Sequence, residues 1–428
     1  MRLALVLAGL FTTVFGAGLA TAAAQADPDD DALALADRAA SAPAPPPSSQ
    51  ARPALHVFSE AGVERESSVA TVQSAVLGID LRGHLPGPAG WRLEFSDRLD
   101  VAEPLDGPGG RRGSNALREL YVSGTLTQQW LVTLGRQNIR NGVAQGYSPS
   151  DFFKPHALRS VLSHDPGELR ANRLGVVAAR TDWFGDADAT SLLLAPRLHD
   201  NDAAGALKPR FGATNTEAQA LLTWTHRLTD DLKPQAAVYL REGQSPQWAL
   251  QATTLLSRQL VAYAEWSGGR ARTLAQEALS LPAPSAFRQR ATLGATWTSP
   301  HKLSLTGEYS RNGAGLDAGG WRQLQSLGPA AVEAVLLRAR DLQDPPSRDT
   351  LYWQARWQDA PVDRIDLAAY LRQSLAEHSH EAWMELRYRA ASHDEFDLQW
   401  LADGGPTGSV YGSRPLHVWT LVWRHDFR

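Results

Sequence analysis

Hydrophobic and polar residues alternate one for one along most of this chain. In the last segment, His417 to Arg428, Trp419, Leu421, Trp423 and Phe427 fall on one face and Thr420, Arg424 and Asp426 on the other. A period of two puts every second side chain on the same side of a sheet. The pattern recurs in Trp91-Leu93-Phe95 against Arg92-Glu94-Ser96-Arg98, and in Ala218-Ala220-Leu222-Trp224 against Glu217-Gln219-Thr223. It recurs again in Trp248-Leu250-Ala252-Leu256, Ala291-Leu293-Ala295-Trp297, Leu351-Trp353-Ala355-Trp357, Ile365-Leu367-Ala369-Leu371 and Phe396-Leu398-Trp400-Ala402, each set against polar neighbours. One greasy and one wet face per strand is what a sheet needs if it meets hydrocarbon outside and water inside.

Turn spacing is an independent check, because bacterial barrels alternate short periplasmic turns with longer outer loops. Short links fall near Thr127-Gln128, Phe184-Gly185-Asp186, Thr229 to Asp231, Ser257-Arg258, Ser299 to His301, Ala360 to Asp363 and Ser392 to Asp394. Longer ones span Arg140 to Glu168, His199 to Asn215, Gly269 to Ser285, Asn312 to Arg348 and Gly404 to Leu416, with tighter outer turns at Gly243-Gln244 and Ala376 to His380. Counting from Leu55, the chain predicts an all-β, transmembrane antiparallel β-barrel of about 18 strands, with about 16 as the alternative count and both ends periplasmic. Trp91, Trp183, Trp224, Trp248, Trp266, Trp297, Trp357 and Trp423 sit near segment ends, where an interfacial girdle places aromatic side chains. One stretch breaks the pattern. Trp321 to Arg340 is Ala/Leu-rich with helical spacing and predicts a loop helix, either folded inward as a constriction or packed over the rim.

The ends of the chain add an address. Met1-Arg2, an apolar run from Leu3 to Leu19 and the small-residue site Ala24-Gln25-Ala26 read as a secretory signal peptide, residues 1–26. Residues 27–53, rich in Ala, Pro, Asp and Ser around Pro45-Pro46-Pro47, cannot bury a face and read as a disordered tether, leaving 54–428 for the barrel. The expected location is the cell outer membrane. Cysteine is absent, which fits an envelope protein without disulfides, and the net charge of -4 argues against a nucleic-acid partner. Mean hydropathy is negative, as expected where alternation hides the lipid face. Phe427 stands one place before the end, displaced by Arg428 from the terminal aromatic that barrel-assembly signals usually carry.

If one parity meets lipid, the other lines the lumen. It carries Arg92, Arg98, Arg227, Arg241, Arg288, Arg290, Arg356, Arg364, Arg372, Arg387, Arg389 and Arg424, interleaved with Glu94, Glu217, Glu265, Glu308, Asp366, Glu381, Glu385, Asp397, Asp403 and Asp426. A ring of one sign would favour one ion class. Mixed signs instead let charges pair across strands, although Arg288-Arg290 can still attract anions or acidic sugars.

The densest motif runs from Gly135-Arg136-Gln137 through Asn141-Gly142 to Ser148-Pro149-Ser150-Asp151-Phe152-Phe153. A strand ending in Gly-Arg-Gln, a glycine turn and then Pro-x-Asp-Phe resembles the loop after a strand in porin-like outer-membrane proteins of the alginate-export and related uncharacterised barrel group. The resemblance implies a loop folded into the pore to shape a charged constriction, and it reaches Gly135, Arg136, Gln137, Pro149, Asp151 and Phe152. The lumen lacks the strongly basic character of an alginate exporter. Within this segment Asp151, Arg136, Arg140, Arg159 and Arg173 can form a buried ion network, with two Phe as anchors in the barrel mouth. The pore-lining or constriction candidates are therefore Arg92, Glu94, Arg136, Arg140, Asp151, Arg159, Arg173, Arg288, Arg290, Arg356, Arg372 and Arg387.

Catalytic signals are poor, and no enzyme is expected. His156, Ser160, Ser163, His164 and Asp165 are near one another without an elbow or a nucleophile spacing. Glu377-His378-Ser379-His380-Glu381 has metal-accepting types on what reads as a solvated turn tip, so neither metal nor cofactor is expected. The Pro-rich lead is too short for the folded plug of a TonB-type transporter. These features predict a channel for passive passage of hydrophilic solutes or export of a saccharide. The alternative is a non-conducting barrel that serves as a docking, assembly or surface protein. Expected partners are outer-membrane lipid, the solute and, during insertion, the barrel assembly machinery. Oligomerisation is left open.

Overall fold

The computed structural model describes residues 54–67, 71–105, 112–157, 162–199, 208, 210–282, 284–360, 362–413 and 416–427. The signal-peptide and tether assignments lie outside these residues, as does the terminal Arg428. Eighteen strands close into one antiparallel sheet in sequence order. The first five are β1 (Ala54–Ser67), β2 (Thr71–Pro86), β3 (Arg92–Pro104), β4 (Arg112–Thr127) and β5 (Trp130–Gln137). Then come β6 (Val176–Phe184), β7 (Asp188–Ala195), β8 (Gln219–His226), β9 (Gln235–Arg241) and β10 (Gln247–Ser257). Next are β11 (Leu260–Ala271), β12 (Ala286–Thr298), β13 (Leu303–Asn312) and β14 (Asp349–Trp357). The last are β15 (Ile365–Ser374), β16 (His380–Arg389), β17 (Asp394–Gly404) and β18 (His417–Phe427). Closure is made by β1, which pairs with β2 on one side and with β18 on the other, Val57 opposite Phe427. Among the described residues every strand pairs on both sides, so the sheet has no open edge.

The alternation dictates the two faces. Trp224, Trp248, Trp353, Trp419 and Leu421 are all about half exposed on the outside, while their strand neighbours Thr223, Ala249, Tyr352, Thr420 and Val422 turn inward. The expected count, the closed fold and the alternation of short and long connections agree with the structure. Two lumen assignments do not: Arg227 and Arg364 fall in the short turns after β8 and β14 rather than on inward strand positions.

The weakly patterned start still forms two long strands. Its glycines explain the weak pattern: a Cβ at Gly78 would lie 2.7 Å from the Arg98 guanidinium, and one at Gly62 3.0 Å from Leu162. Those inward positions are kept small because charged and loop side chains occupy the space.

Among the described residues the long loops carry four α-helices, α1 (Pro166–Ala171), α2 (Leu274–Ala278), α3 (Ala318–Ser326) and α4 (Pro329–Leu342). The Ala/Leu-rich stretch is thus two helices, broken at Gly328, whose φ of +97° few other residues adopt, and restarted by Pro329. Trp321, Leu324, Val332 and Val335 pack together with Ala275, Leu279, Ala376 and Val410 from neighbouring outer loops. The helices therefore form a cap over the outer rim.

Candidate functional site: a loop folded across the lumen

The connection from β5 to β6, residues 138–175, turns into the barrel instead of standing above it. Near the end of β5, Gly135 has a φ of +126°, and a Cβ there would sit 2.4 Å from the Leu120 carbonyl. Gly142 turns the chain at φ +83°. Four consecutive backbone N–H groups then meet two wall carboxylates. Ala144 donates to Glu265 Oε1 at 2.7 Å and Val143 to the same oxygen at 2.5 Å. Gln145 donates to Glu308 Oε1 at 2.6 Å and Gly146 to Glu308 Oε2 at 2.9 Å. Glu265 Oε2 also accepts from the hydroxyls of Ser148 and Ser150, each at 2.7 Å. Bonds to a carboxylate are of the stronger class, and both carboxylates are buried.

Farther along, Phe152 stacks on Tyr239 with ring centroids 4.6 Å apart, and Phe153 meets the same ring edge-on. Both lie against Val176, Ala178, Leu193, Leu221 and Ala237 of the wall. Burying each Phe contributes about 2–3 kcal/mol. Asp151 sits in the bidentate grip of Arg173, at 2.7 and 3.0 Å, with Arg170 3.6 Å away. Burial pushes the Asp151 carboxyl up, but Arg173 and Arg170 outweigh it and hold it below the ordinary range. Lys154 bridges to Asp344 of the cap at 2.9 Å and lies over the Tyr147 ring. Asp344 is held low in the same way, burial being outweighed by Lys154 and Arg290.

The segment then reaches the opposite wall. Asp165 pairs with Arg356 and caps α1 by accepting from Gly167 N–H at 2.7 Å. Glu168 pairs with Arg387 at 2.8 Å. Burial raises its pKa, yet Arg387 and Arg424 prevail and hold it at about 2. Asn172 Oδ1 accepts from Arg82 at 2.7 Å and Arg118 at 2.5 Å. Behind these contacts the wall is itself a network. Arg98 meets Glu60 at 2.7 Å and Asp100 at 2.9 Å, Arg424 meets Glu60 at 2.6 Å, and Asp80 takes Arg82 and Arg118. One segment thus ties β9, β11 and β13 on one side to β14, β16, β2 and β4 on the other across the interior.

The candidate residues fall into distinct places. Asp151 and Arg173 come together as the core of the loop. Arg356 and Arg387 hold its far end, and Arg387 also meets Glu385, Glu395 and Asp397 within 3.3 Å. Arg290 reaches Asp344 at 3.4 Å, whereas Arg288 faces inward at the outer end of β12. Arg372 pairs with Glu381 at 3.1 Å and lies over Tyr352 and Tyr370. Arg92 and Glu94 pair at 2.8 Å on the turn-side wall. Arg140 is exposed at the start of the loop. Arg159 lies outside the described residues.

Arg136 does not line the lumen. It pairs with Val177 and Leu120, on the parity of exposed Trp130 and Leu134. There it is buried under the segment before β8, donating to the Gly175 carbonyl at 3.0 Å and the Arg210 carbonyl at 2.9 Å. It ties a loop to the outer wall and stays apart from Asp151.

Part of the lumen is also apolar, which mixed-charge parity did not suggest: Tyr352, Tyr370, Trp383, Leu401 and Val418 cluster on the inward face. Arg118, Asp80, Glu60, Glu168 and Asn172 were missed. Arg118 is the extra residue at a bulge opposite Ser96 and Asp97, so strict alternation misassigns it. Among the described residues the chemistry-bearing clusters do not assemble. His164 N–H donates to Gln399, Ser163 accepts from Asp165 N–H, and Ser160 is outside the described residues. Ser379 bonds to Glu377, and among the described residues no three metal-ligating groups converge.

A closed barrel of eighteen antiparallel strands, apolar outside and polar inside with a loop folded across its bore, has the architecture of an outer-membrane porin. The chain is similar to the solved structure of OccK5 (OpdH) from Pseudomonas aeruginosa, with a TM-score of 0.56 at 9% identity over 88% of this chain and 98% of that one. It is similar also to OccK11 (OpdR) of the same organism, with a TM-score of 0.53 at 11% identity over 88% and 96%. For OccAB4 of Acinetobacter baumannii the TM-score is 0.52 at 6% identity over 89% and 99%. These belong to the Occ/Opd outer-membrane porins, and at such identity the likeness is one of fold. No protein-family model and no curated protein sequence matches the chain.

Proposed function

We propose that the protein is an outer-membrane porin that passes small hydrophilic solutes passively, with residues 138–175 setting the bore. The observation that carries this reading is the inward loop, held at mid-height by Glu265 and Glu308 inside a barrel whose outer face is apolar. A solute would enter past Arg288, meet the loop and leave past Arg92 and Glu94, exchanging part of its hydration for mixed charges. Kinship with the alginate-export group, and with it saccharide export, rests on the Gly135 to Phe152 motif. Residues 1–26 would be removed as a signal peptide, 27–53 would form a periplasmic tether, and the barrel assembly machinery would insert the rest. The proposal includes no catalytic step.

The docking or assembly alternative has one observation in its favour. Side chains on the inward wall, among them Glu265, Thr292, Glu308 and Trp383, are almost fully buried, as in a filled bore. Deleting Gly146 to Arg159 separates the two readings. A larger single-channel conductance supports the loop as the bore-setting element, and unchanged conductance in a folded barrel counts against it.

A further inference from the structure

One constellation occurs twice on the outward face, at the short-turn end of the barrel. Asp188 opens β7, and its Oδ1 accepts from Trp224 Nε1–H at 3.1 Å and from the His226 ring nitrogen Nδ1 at 2.8 Å. Asp394 opens β17, and its Oδ1 accepts from Trp423 Nε1–H at 2.9 Å and from His425 Nδ1 at 2.9 Å. The register is the same, with Asp188 opposite His226 and Asp394 opposite His425. The two seams lie on nearly opposite sides of the barrel.

Both sites share a face with exposed apolar side chains, Leu192 and Leu194 in one case, Phe396 and Leu398 in the other. They therefore sit where hydrocarbon gives way to headgroups. Trp anchors are expected at that level, but a carboxylate facing lipid is costly unless it has a cationic partner. In each triad one carboxylate oxygen takes both donors, and among the described residues the other, Oδ2, meets none. The His Nε2 likewise meets no hydrogen-bond partner among the described residues. A cationic or protonatable group flanks each site, Arg227 after His226 and His393 before Asp394, and the His393 Nδ1 is a buried atom without a hydrogen bond.

We propose that the two triads bind the headgroup of an ethanolamine phospholipid, resting on the membrane-spanning reading above. The primary ammonium donates to the free aspartate oxygen, and the phosphate lies against the imidazole edge and the flanking Arg227 or His393. A choline headgroup has no N–H to donate to that oxygen, and a glycerol headgroup leaves the carboxylate beside an uncompensated phosphate.

The full chain is reconstituted in vesicles of mixed ethanolamine, choline and glycerol phospholipids, extracted gently, and its retained lipids are weighed by native mass spectrometry. The wild type should keep ethanolamine lipid about tenfold over the other two, and the Asp188→Asn/Asp394→Asn pair should lose that preference. Asp349→Asn, at the opposite rim where Asp349 holds Tyr309 at 2.6 Å and Arg311 at 3.1 Å, should retain it. Equal retention by the wild type overturns the proposal without any variant, as does a preference that survives the paired substitution. A chain that does not enter vesicles overturns the membrane reading together with it, whereas insertion without discrimination overturns the lipid sites alone.

Discussion

Replacing Glu265 by Gln removes the charge at the centre of the loop's attachment while keeping its shape. In the native site Oε1 faces the N–H groups of Val143 and Ala144, and Oε2 faces the hydroxyls of Ser148 and Ser150. After the substitution the amide oxygen keeps the two N–H groups only as a neutral acceptor, and the NH2 replaces the acceptor of the two hydroxyls, which lose their bonds to the carboxylate and must turn to accept from it. Two bonds to a charged acceptor, at about 1.5 kcal/mol each, amount to about 3 kcal/mol. That difference raises the detached population of the loop roughly 150-fold. Single-channel recording should show increased open-channel noise and longer excursions to a higher conductance, and protease added from the outer side should cut within 138–175 faster. Glu308→Gln should act in the same direction, because Gln145, Gly146 and Tyr263 lose the same kind of acceptor. Noise and cleavage indistinguishable from wild type in both variants would refute the clamp.

Acid should loosen the same loop. Asp151, Asp344 and Glu168 have lowered folded pKa values, so their contributions are complete above the ordinary carboxylate range and are lost as pH falls through the folded values. Loop excursions should increase on acidification below about pH 4, with the share of Glu168 persisting towards about 2; an increase on going from pH 7 to 9 would contradict this. Trp321→Ala should cost the cap about 3–5 kcal/mol, because the ring is fully buried and donates to Ser347 at 2.8 Å. Faster proteolysis of 313–348 with unchanged heat resistance of the barrel is the expected readout. Leu421→Arg, on the outward face of β18, should lower unfolding stability in lipid by about 2–4 kcal/mol, measured by urea titration.

The barrel was legible because alternation is a local signal that each strand states for itself: Trp419, Leu421 and Trp423 give the outward face of β18 with no knowledge of its neighbours. Loop length likewise marks Arg140 to Glu168, the greater part of the 138–175 segment, and of the ion network expected there Asp151 and Arg173 meet, with the two Phe as anchors. Their partners were not recognised, because contact between Val143 and Glu265 or between Glu168 and Arg387 depends on where a long loop crosses the bore. Sequence spacing carries no trace of that. Arg136 was misplaced for another reason. The motif was read as one constriction, while the parity of Trp130 and Leu134 already assigned Arg136 to the outside. The repeated Trp-x-His motifs of β8 and β18 are visible in the sequence, but their aspartates become partners only through register.

The most direct test of the porin reading is single-channel conductance of the refolded protein in planar bilayers, with and without candidate sugars and organic anions. Stable open steps that a solute blocks are the predicted result. A folded, heat-modifiable barrel that never conducts would contradict it and favour the docking role.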